Sequence, residues 1–187
     1  MIATETLPEG ISSIVDGKQL LLLSKYRNLS GDIVGYVGRY DSESGKTYRP
    51  YFKNENDVWK MGYLEDGKRP LYGLWQLSDV DDDETIYLVE GEKCADALIS
   101  LGLVAITIPG GAQSSSEADF GPLSRFDNIV ILMDNDESGD KFCVGVVREL
   151  RKFGHDQSVL IAKFSFLDEK GDVVDLIQQE LPDWDGY

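Results

Sequence analysis

Ile129-Val130-Ile131-Leu132-Met133-Asp134-Asn135-Asp136-Glu137-Ser138-Gly139 is the stretch that decides the fold: an apolar run ending in Asp-x-Asp-x-x-Gly. A second stretch, Tyr87-Leu88-Val89-Glu90-Gly91-Glu92-Lys93, is built the same way and ends in a carboxylate and a glycine. Each reads as a buried strand that runs out into acid at its C-terminal end. In an open parallel sheet the ligand site lies beyond the carboxyl ends of the strands, so Glu90, Asp134 and Asp136 read as one site. Asp134 and Asp136 are two positions apart and point the same way if the extended conformation continues. Gly91 and Gly139 let the backbone turn sharply and let a metal or phosphate approach. Carboxylates so placed suit a hard divalent cation such as Mg²⁺, which clamps phosphoryl oxygens and stabilises their developing charge. Without a cation, like charges so close resist joint ionisation. The plainer reading of the same acids is a solvated loop or a set of helix caps. Glu92 and Asp140 read as helix-start residues, since acids favour a helix N-terminus.

The sequence around these stretches alternates strand and helix. Strands are expected over 86–89, 104–108, 128–133 and 159–162, and helices over 93–101, 140–153 and 173–181. That order implies an α/β fold with a parallel sheet covered on both faces. Upstream, strands are expected over 20–26, 33–40, 47–52 and 58–63, which makes a small antiparallel β unit with Pro50 at an edge or irregularity. Residues 78–84 read as an acidic linker. The chain thus divides into a β-rich region, 1–80, and an α/β domain, 81–187.

Charge divides at the same place. The net charge of the 187 residues is −16. Residues 1–80 hold 10 basic and 11 acidic side chains, whereas the remainder holds 8 basic and 23 acidic ones. A chain that grips DNA alone usually shows a basic patch, and repulsion from phosphates weakens nonspecific binding, so tight autonomous binding of nucleic acid is not expected. No apolar run approaches the roughly 18 residues needed to span a bilayer. The N-terminal Met1-Ile2-Ala3-Thr4-Glu5-Thr6 lacks the basic and apolar parts of a signal peptide. With only Cys94 and Cys143 present, neither a disulfide framework nor a zinc ribbon is supported. Both cysteines read as small buried hydrophobes, and the expected location is cytoplasmic.

Val-Glu-Gly-Glu-Lys and Asp-Asn-Asp-x-x-Gly, some 40 positions apart in an alternating frame, resemble the TOPRIM domain shared by topoisomerases and bacterial-type primases. The resemblance covers about residues 84–180. It implies that Glu90 is the catalytic glutamate and that Asp134 and Asp136 coordinate Mg²⁺ or Mn²⁺. Pro109-Gly110-Gly111-Ala112 resembles the glycine turn after the second TOPRIM strand. Lys170-Gly171-Asp172-Val173-Val174-Asp175 is similar to a primase segment in which a further acid assists metal binding, and Asp172 is the residue chosen for it. The hairpin Gly35-Tyr36-Val37-Gly38-Arg39-Tyr40-Asp41, then Tyr48-Arg49-Pro50 and Arg69-Pro70-Leu71-Tyr72-Gly73-Leu74, resemble phage and plasmid primases or primase-helicases. The length leaves no room for a topoisomerase's tyrosine domain. Neither a zinc-binding Cys/His module nor a helicase phosphate loop is found in the sequence given.

The resemblance implies synthesis of RNA primers from nucleoside triphosphates on single-stranded template DNA, with template held weakly by this chain alone and a helicase or zinc-domain partner completing the job. A TOPRIM nuclease and a non-catalytic TOPRIM binding module are the alternatives. Among the basic residues Arg39, Arg49, Lys53, Lys60, Lys68 and Arg69, the favoured nucleotide contacts are Arg49 and Arg69, because arginine binds phosphate in a bidentate way. Lys93, Gly110 and Gly111 join them beside the glutamate turn. Tyr48, Tyr51, Phe52 and Trp59 are candidates for base stacking, or else they pack the small β core. His155, after a helix stop, reads as a turn residue.

Overall fold

The computed structural model describes residues 6–54, 57–63, 68–156 and 158–186. Most of the N-terminal stretch examined for a signal peptide, Met1–Glu5, and the last residue, Tyr187, lie outside them. Five strands form an antiparallel sheet in sequential order: β1 (Ile14–Val15), β2 (Lys18–Arg27), β3 (Ile33–Ser42), β4 (Gly45–Lys53) and β5 (Trp59–Met61). The alternation seen in the sequence separates two faces. Leu20, Tyr36, Tyr40 and Tyr51 point to one side and close a small core with Ile11, where the Tyr40 and Tyr51 hydroxyls meet at 2.6 Å. Tyr26 and Val37 point to the other side and pack into the second half of the molecule. Pro50 lies where β4 pairs with β3, while short β5 pairs only with Phe52 and Lys53, so proline's missing N–H breaks no second ladder.

The second half is a four-stranded parallel sheet in the order β7-β6-β8-β9, formed by β6 (Thr85–Val89), β7 (Val104–Ile106), β8 (Asn128–Met133) and β9 (Val159–Lys163). It is covered on both faces, as the apolar runs require. Ile86, Leu88, Ile129, Ile131 and Met133 pack against α2 (Glu137–Lys152), through Phe142, Val146 and Leu150. Val89 and Leu132, one residue out of phase, pack against α1 (Glu92–Ser100) and α3 (Val173–Glu180). The architecture is therefore the α/β TOPRIM-like fold with a preceding antiparallel β unit. Between β7 and β8 the chain winds into a 3-10 turn, Ala112–Glu117. His155 lies where the chain turns out of α2, and it is buried. Cys94 and Cys143 are free and buried. Among the described residues no helix is long and apolar enough to cross a membrane.

The two halves are joined by buried polar contacts as well as apolar ones. Residues leading out of the antiparallel sheet lie against the parallel one: Tyr72 and Thr107 exchange backbone hydrogen bonds of 2.8 and 3.2 Å. Two tyrosines then reach α1, Tyr26 donating to Glu92 Oε1 at 2.6 Å and Tyr72 to Asp96 Oδ1 at 2.5 Å. Their rings touch edge to face at 5.2 Å. Burial raises the pKa of the Glu92 carboxyl, and the Tyr26 hydroxyl partly counters it. Tyr26→Phe removes that donor and leaves a buried acid without it. The expected cost is about 1–3 kcal/mol, measured as a lower midpoint in urea unfolding; a midpoint equal to the wild type would show that the contact does not hold the halves together.

Candidate active site

The strand order fixes where the site lies. From β6 the chain crosses to β7 on one side, and from β8 it crosses to β9 on the other. The crevice between β6 and β8 is thus the switch point of the sheet, where an open α/β fold binds its ligand. Glu90 follows β6 and Asp134 follows β8, so these two acids flank it.

Local backbone chemistry sets each acid. Thr107, fully buried, donates its hydroxyl to the Val89 carbonyl at 2.6 Å and accepts the Gly91 N–H at 3.0 Å. Glu90 is bracketed between these bonds, and Gly91 makes the turn at φ 89°. Ser138, in the first turn of α2, donates to Glu90 Oε1 at 2.7 Å. Glu90 Oε2 is buried with no hydrogen-bond partner among the described residues. Gly139 differs from the expectation of a sharp turn. It is helical, and a Cβ there would lie 2.3 Å from the Asp134 carbonyl oxygen, so only glycine lets α2 start this close to Asp134.

Asp136 and Asp172 are both helix caps. Asp136 Oδ1 accepts the Gly139 N–H at 2.9 Å at the start of α2. Asp172 Oδ1 accepts from Val174 and Asp175 at 2.7 and 3.1 Å at the start of α3. The plainer reading of these acids is therefore realised, yet each cap uses one oxygen only. The second oxygen of Asp172 faces Lys93 Nζ at 3.4 Å. Asn135 stitches the two caps together, since its N–H donates to Gly171 at 2.9 Å and its side chain to Leu167 at 2.8 Å. Asn135, Ser138 and Thr107 were not singled out by sequence reasoning. The first two lie inside the quoted motif, and Thr107 is the one polar residue in the otherwise apolar Val104–Ile108 run.

A cleft of about 630 Å³ opens between these acids and the antiparallel sheet. Glu90, Asp134, Asp172, Lys93, Gly110, Gly111 and Arg69 line it, with Arg39, Lys46 and Tyr48 on the opposite wall. Gly110 and Gly111 have φ of 86° and 69°, and Gly111 faces Glu90 Oε1. Arg69 lies over the Tyr63 ring at 3.6 Å, is ion-paired to Glu117 and donates to Ser114 at 3.2 Å. Asp136 stands just outside the lining, but its charge opposes ionisation of both Glu90 and Asp134. Arg49 is placed elsewhere. It is one residue out of phase with Tyr48 and Pro50, and its guanidinium holds Asp16 at 2.7 Å.

Solved structures similar to this one include primase domains. A DNA primase domain from Pseudomonas aeruginosa matches with a TM-score of 0.63 at 24% identity, over 84% of this chain and 46% of that one. The chain has the fold of a TOPRIM primase domain. The DnaG catalytic core matches at 0.59 and 18% identity, over 84% and 48% of the two chains. The Aquifex aeolicus primase, with its zinc-binding and RNA polymerase domains, matches at 0.60 and 20%, over 88% and 37%. The chain spans less than half the length of each. No protein-family model and no curated protein sequence matches it.

The donor set suits a hard cation: carboxylates, one of them with a buried unpartnered oxygen. Among the described residues no three metal-ligating side chains converge into a ready-made cage. Mg²⁺ does not need one, since it takes one or two carboxylates and keeps waters or substrate phosphates in its other positions. Burial, then the charges of Glu90, Asp172 and Asp136, pushes Asp134 up to about 7. A carboxyl whose folded pKa exceeds its unfolded value of about 4 binds its proton more tightly when folded. Its stabilising effect is complete below that value and is lost as pH rises through about 7. Without divalent cations, the melting temperature of the wild type should therefore fall between mildly acidic and alkaline pH by about 2–4 °C more than that of Asp134→Asn. Equal pH dependence in the two proteins would contradict the assignment.

Proposed function

We propose that this chain is the nucleotidyltransferase module of a primase of the phage or plasmid kind, making RNA primers on single-stranded template DNA. The observation that carries the reading is the cleft itself, with acids at a sheet switch point on one wall and cations on the other. In the reaction, the 3′-hydroxyl of one ribonucleotide attacks the α-phosphate of an incoming nucleoside triphosphate, and pyrophosphate leaves. Asp134, Asp136 and Asp172 are the residues to hold Mg²⁺ or Mn²⁺. Such an ion, when bound, neutralises charge on the phosphoryl oxygens.

The chain's own residues do the rest. Glu90, whose pKa is raised by burial, ligates or takes part in proton transfer through Oε2. Arg69 and Lys93 bind the triphosphate beside the open Gly110–Gly111 turn. Catalysis rests on positioning and on charge arranged in advance. The net charge of −16 argues for a partner in template capture. A zinc-binding module is one candidate, because the Aquifex aeolicus primase carries one with its RNA polymerase domain; a helicase is the other. The place of work is the cytoplasm.

The test is template-dependent incorporation of labelled ribonucleotides with Mg²⁺ or Mn²⁺, with and without an added zinc-domain partner. Asp134→Asn combined with Asp136→Asn should lower incorporation at least about a hundredfold. Synthesis that survives the double substitution would sink the reading. Nicking of plasmid DNA that needs metal but no triphosphate would replace it with a nuclease. A non-catalytic binding module is the other alternative, and calorimetry finding no Mg²⁺ uptake, with no primers formed, would establish that.

A further inference from the structure

The antiparallel sheet turns one strip of side chains toward the cleft: Leu22 from β2, Val37 and Arg39 from β3, and Lys46, Tyr48 and Pro50 from β4. Cross-strand register makes the strip continuous, with Val37 opposite Pro50, Arg39 opposite Tyr48, and Asp41 opposite Lys46. The aromatics of this sheet are otherwise committed. Tyr36, Tyr40, Tyr51 and Phe52 are buried, and Trp59 packs edge-on to Tyr36 at 4.8 Å. Tyr48 alone among these combines a cleft position with an open ring, 44% exposed.

Its surroundings suit a flat, uncharged, polarisable group next to an anion. Leu22, Val37 and Pro50 give an apolar floor, while Arg39 and Lys46 add positive charge at the outer end. Arg39 is fixed by a two-point bond to Asp41, 3.1 Å from Nε and 2.7 Å from Nη2. Toward the sheet switch point stand Arg69, Lys93 and the Gly110–Gly111 turn. Glu90, Gly91 and Cys94 line the same cleft as Tyr48.

We infer that Tyr48 is the stacking platform for a nucleobase, seated on the Leu22–Val37–Pro50 floor, with its phosphates directed to Arg69 and Lys93. The inference rests on the nucleotide-handling function proposed above and adds where the base sits. A π-face contact accepts any base, so the platform gives affinity without sequence preference. The base belongs either to the incoming triphosphate or to the template strand.

The experiment titrates the full chain, with Mg²⁺ present, against four probes: ATP, inorganic triphosphate, oligo(dT) and an abasic strand of equal length. Tyr48→Leu keeps apolar bulk but has no ring. It should weaken binding of ATP or of oligo(dT) about tenfold and leave the base-free probes unchanged. Tyr48→Phe and Tyr48→Trp should bind as the wild type does. Loss in the ATP arm assigns the base to the incoming nucleotide, and loss in the oligo(dT) arm to the template. Wild-type binding by Tyr48→Leu, equal loss for base-free probes, or no binding of any probe by the wild type would overturn the inference. Primer synthesis with normal binding by Tyr48→Leu removes the inference alone. Tyr48-dependent binding in a chain that makes no primers removes only the proposed reaction.

Discussion

Carboxylates crowded at the edge of a parallel sheet, partly withdrawn from water, are the constraint around which this structure is arranged. Burial disfavours their charge, and each raises the cost of ionising the next; Asp134 shows the sum of both effects. The protein offsets that cost locally. Ser138 donates to Glu90, Lys93 approaches Asp172, and helix N-termini receive Asp136 and Asp172. A helix start favours negative charge because its free N–H groups point outward. Capping and metal binding are therefore not rival roles for these two acids. A cap orients a carboxylate through one oxygen and leaves the other outside the cap; at Asp172 that second oxygen faces Lys93 in the cleft.

The second requirement is position, and it is met by backbone contacts more than by the acids themselves. Thr107 belongs to the strand run beside Glu90's own, yet its hydroxyl fixes the peptide groups on both sides of Glu90. Gly139 lets a helix begin against the Asp134 carbonyl, and Asn135 ties that loop to the segment delivering Asp172. The acids come from three separate segments, after β6, after β8 and before α3, so a small error in any one crossover would scatter them. Bonds that run across elements remove that freedom before any ligand arrives.

Much of this was legible in the amino-acid order. Two apolar runs ending in acid imply parallel strands and a shared C-terminal edge, and sheet topology does bring Glu90 and Asp134 together there. Strand alternation was equally available for the antiparallel unit, and it separates Tyr48 from Arg49. Choosing Arg49 by its phosphate chemistry ignored that period of two; the structure turns it to Asp16 and presents Arg39 and Lys46 to the cleft instead. Asp134 and Asp136 diverge for a related reason. The extended run stops at Met133, and Asp136 N–H bonds back to the Asp134 carbonyl at 2.9 Å, a local turn that strand spacing does not foresee. Tyr26 and Tyr72 were unreadable as partners of α1, because contacts between distant elements leave no spacing in the sequence.

Charge distribution, finally, explains how so acidic a chain can be matched to a polyanion. Net charge governs long-range encounter, which salt screens beyond about 8–10 Å, whereas a bound phosphate responds to the groups within that distance. The cleft sets Arg69 and Lys93 beside its acids and Arg39 and Lys46 on the wall opposite them. A free strand is repelled by the molecule as a whole, yet a nucleotide already inside meets cations on one wall and a cation-seeking acidic edge on the other. Under the proposed function, that pattern suits a module to which template is delivered by a partner, and it ties the acidic composition to the same site that the two acid-tipped strands define.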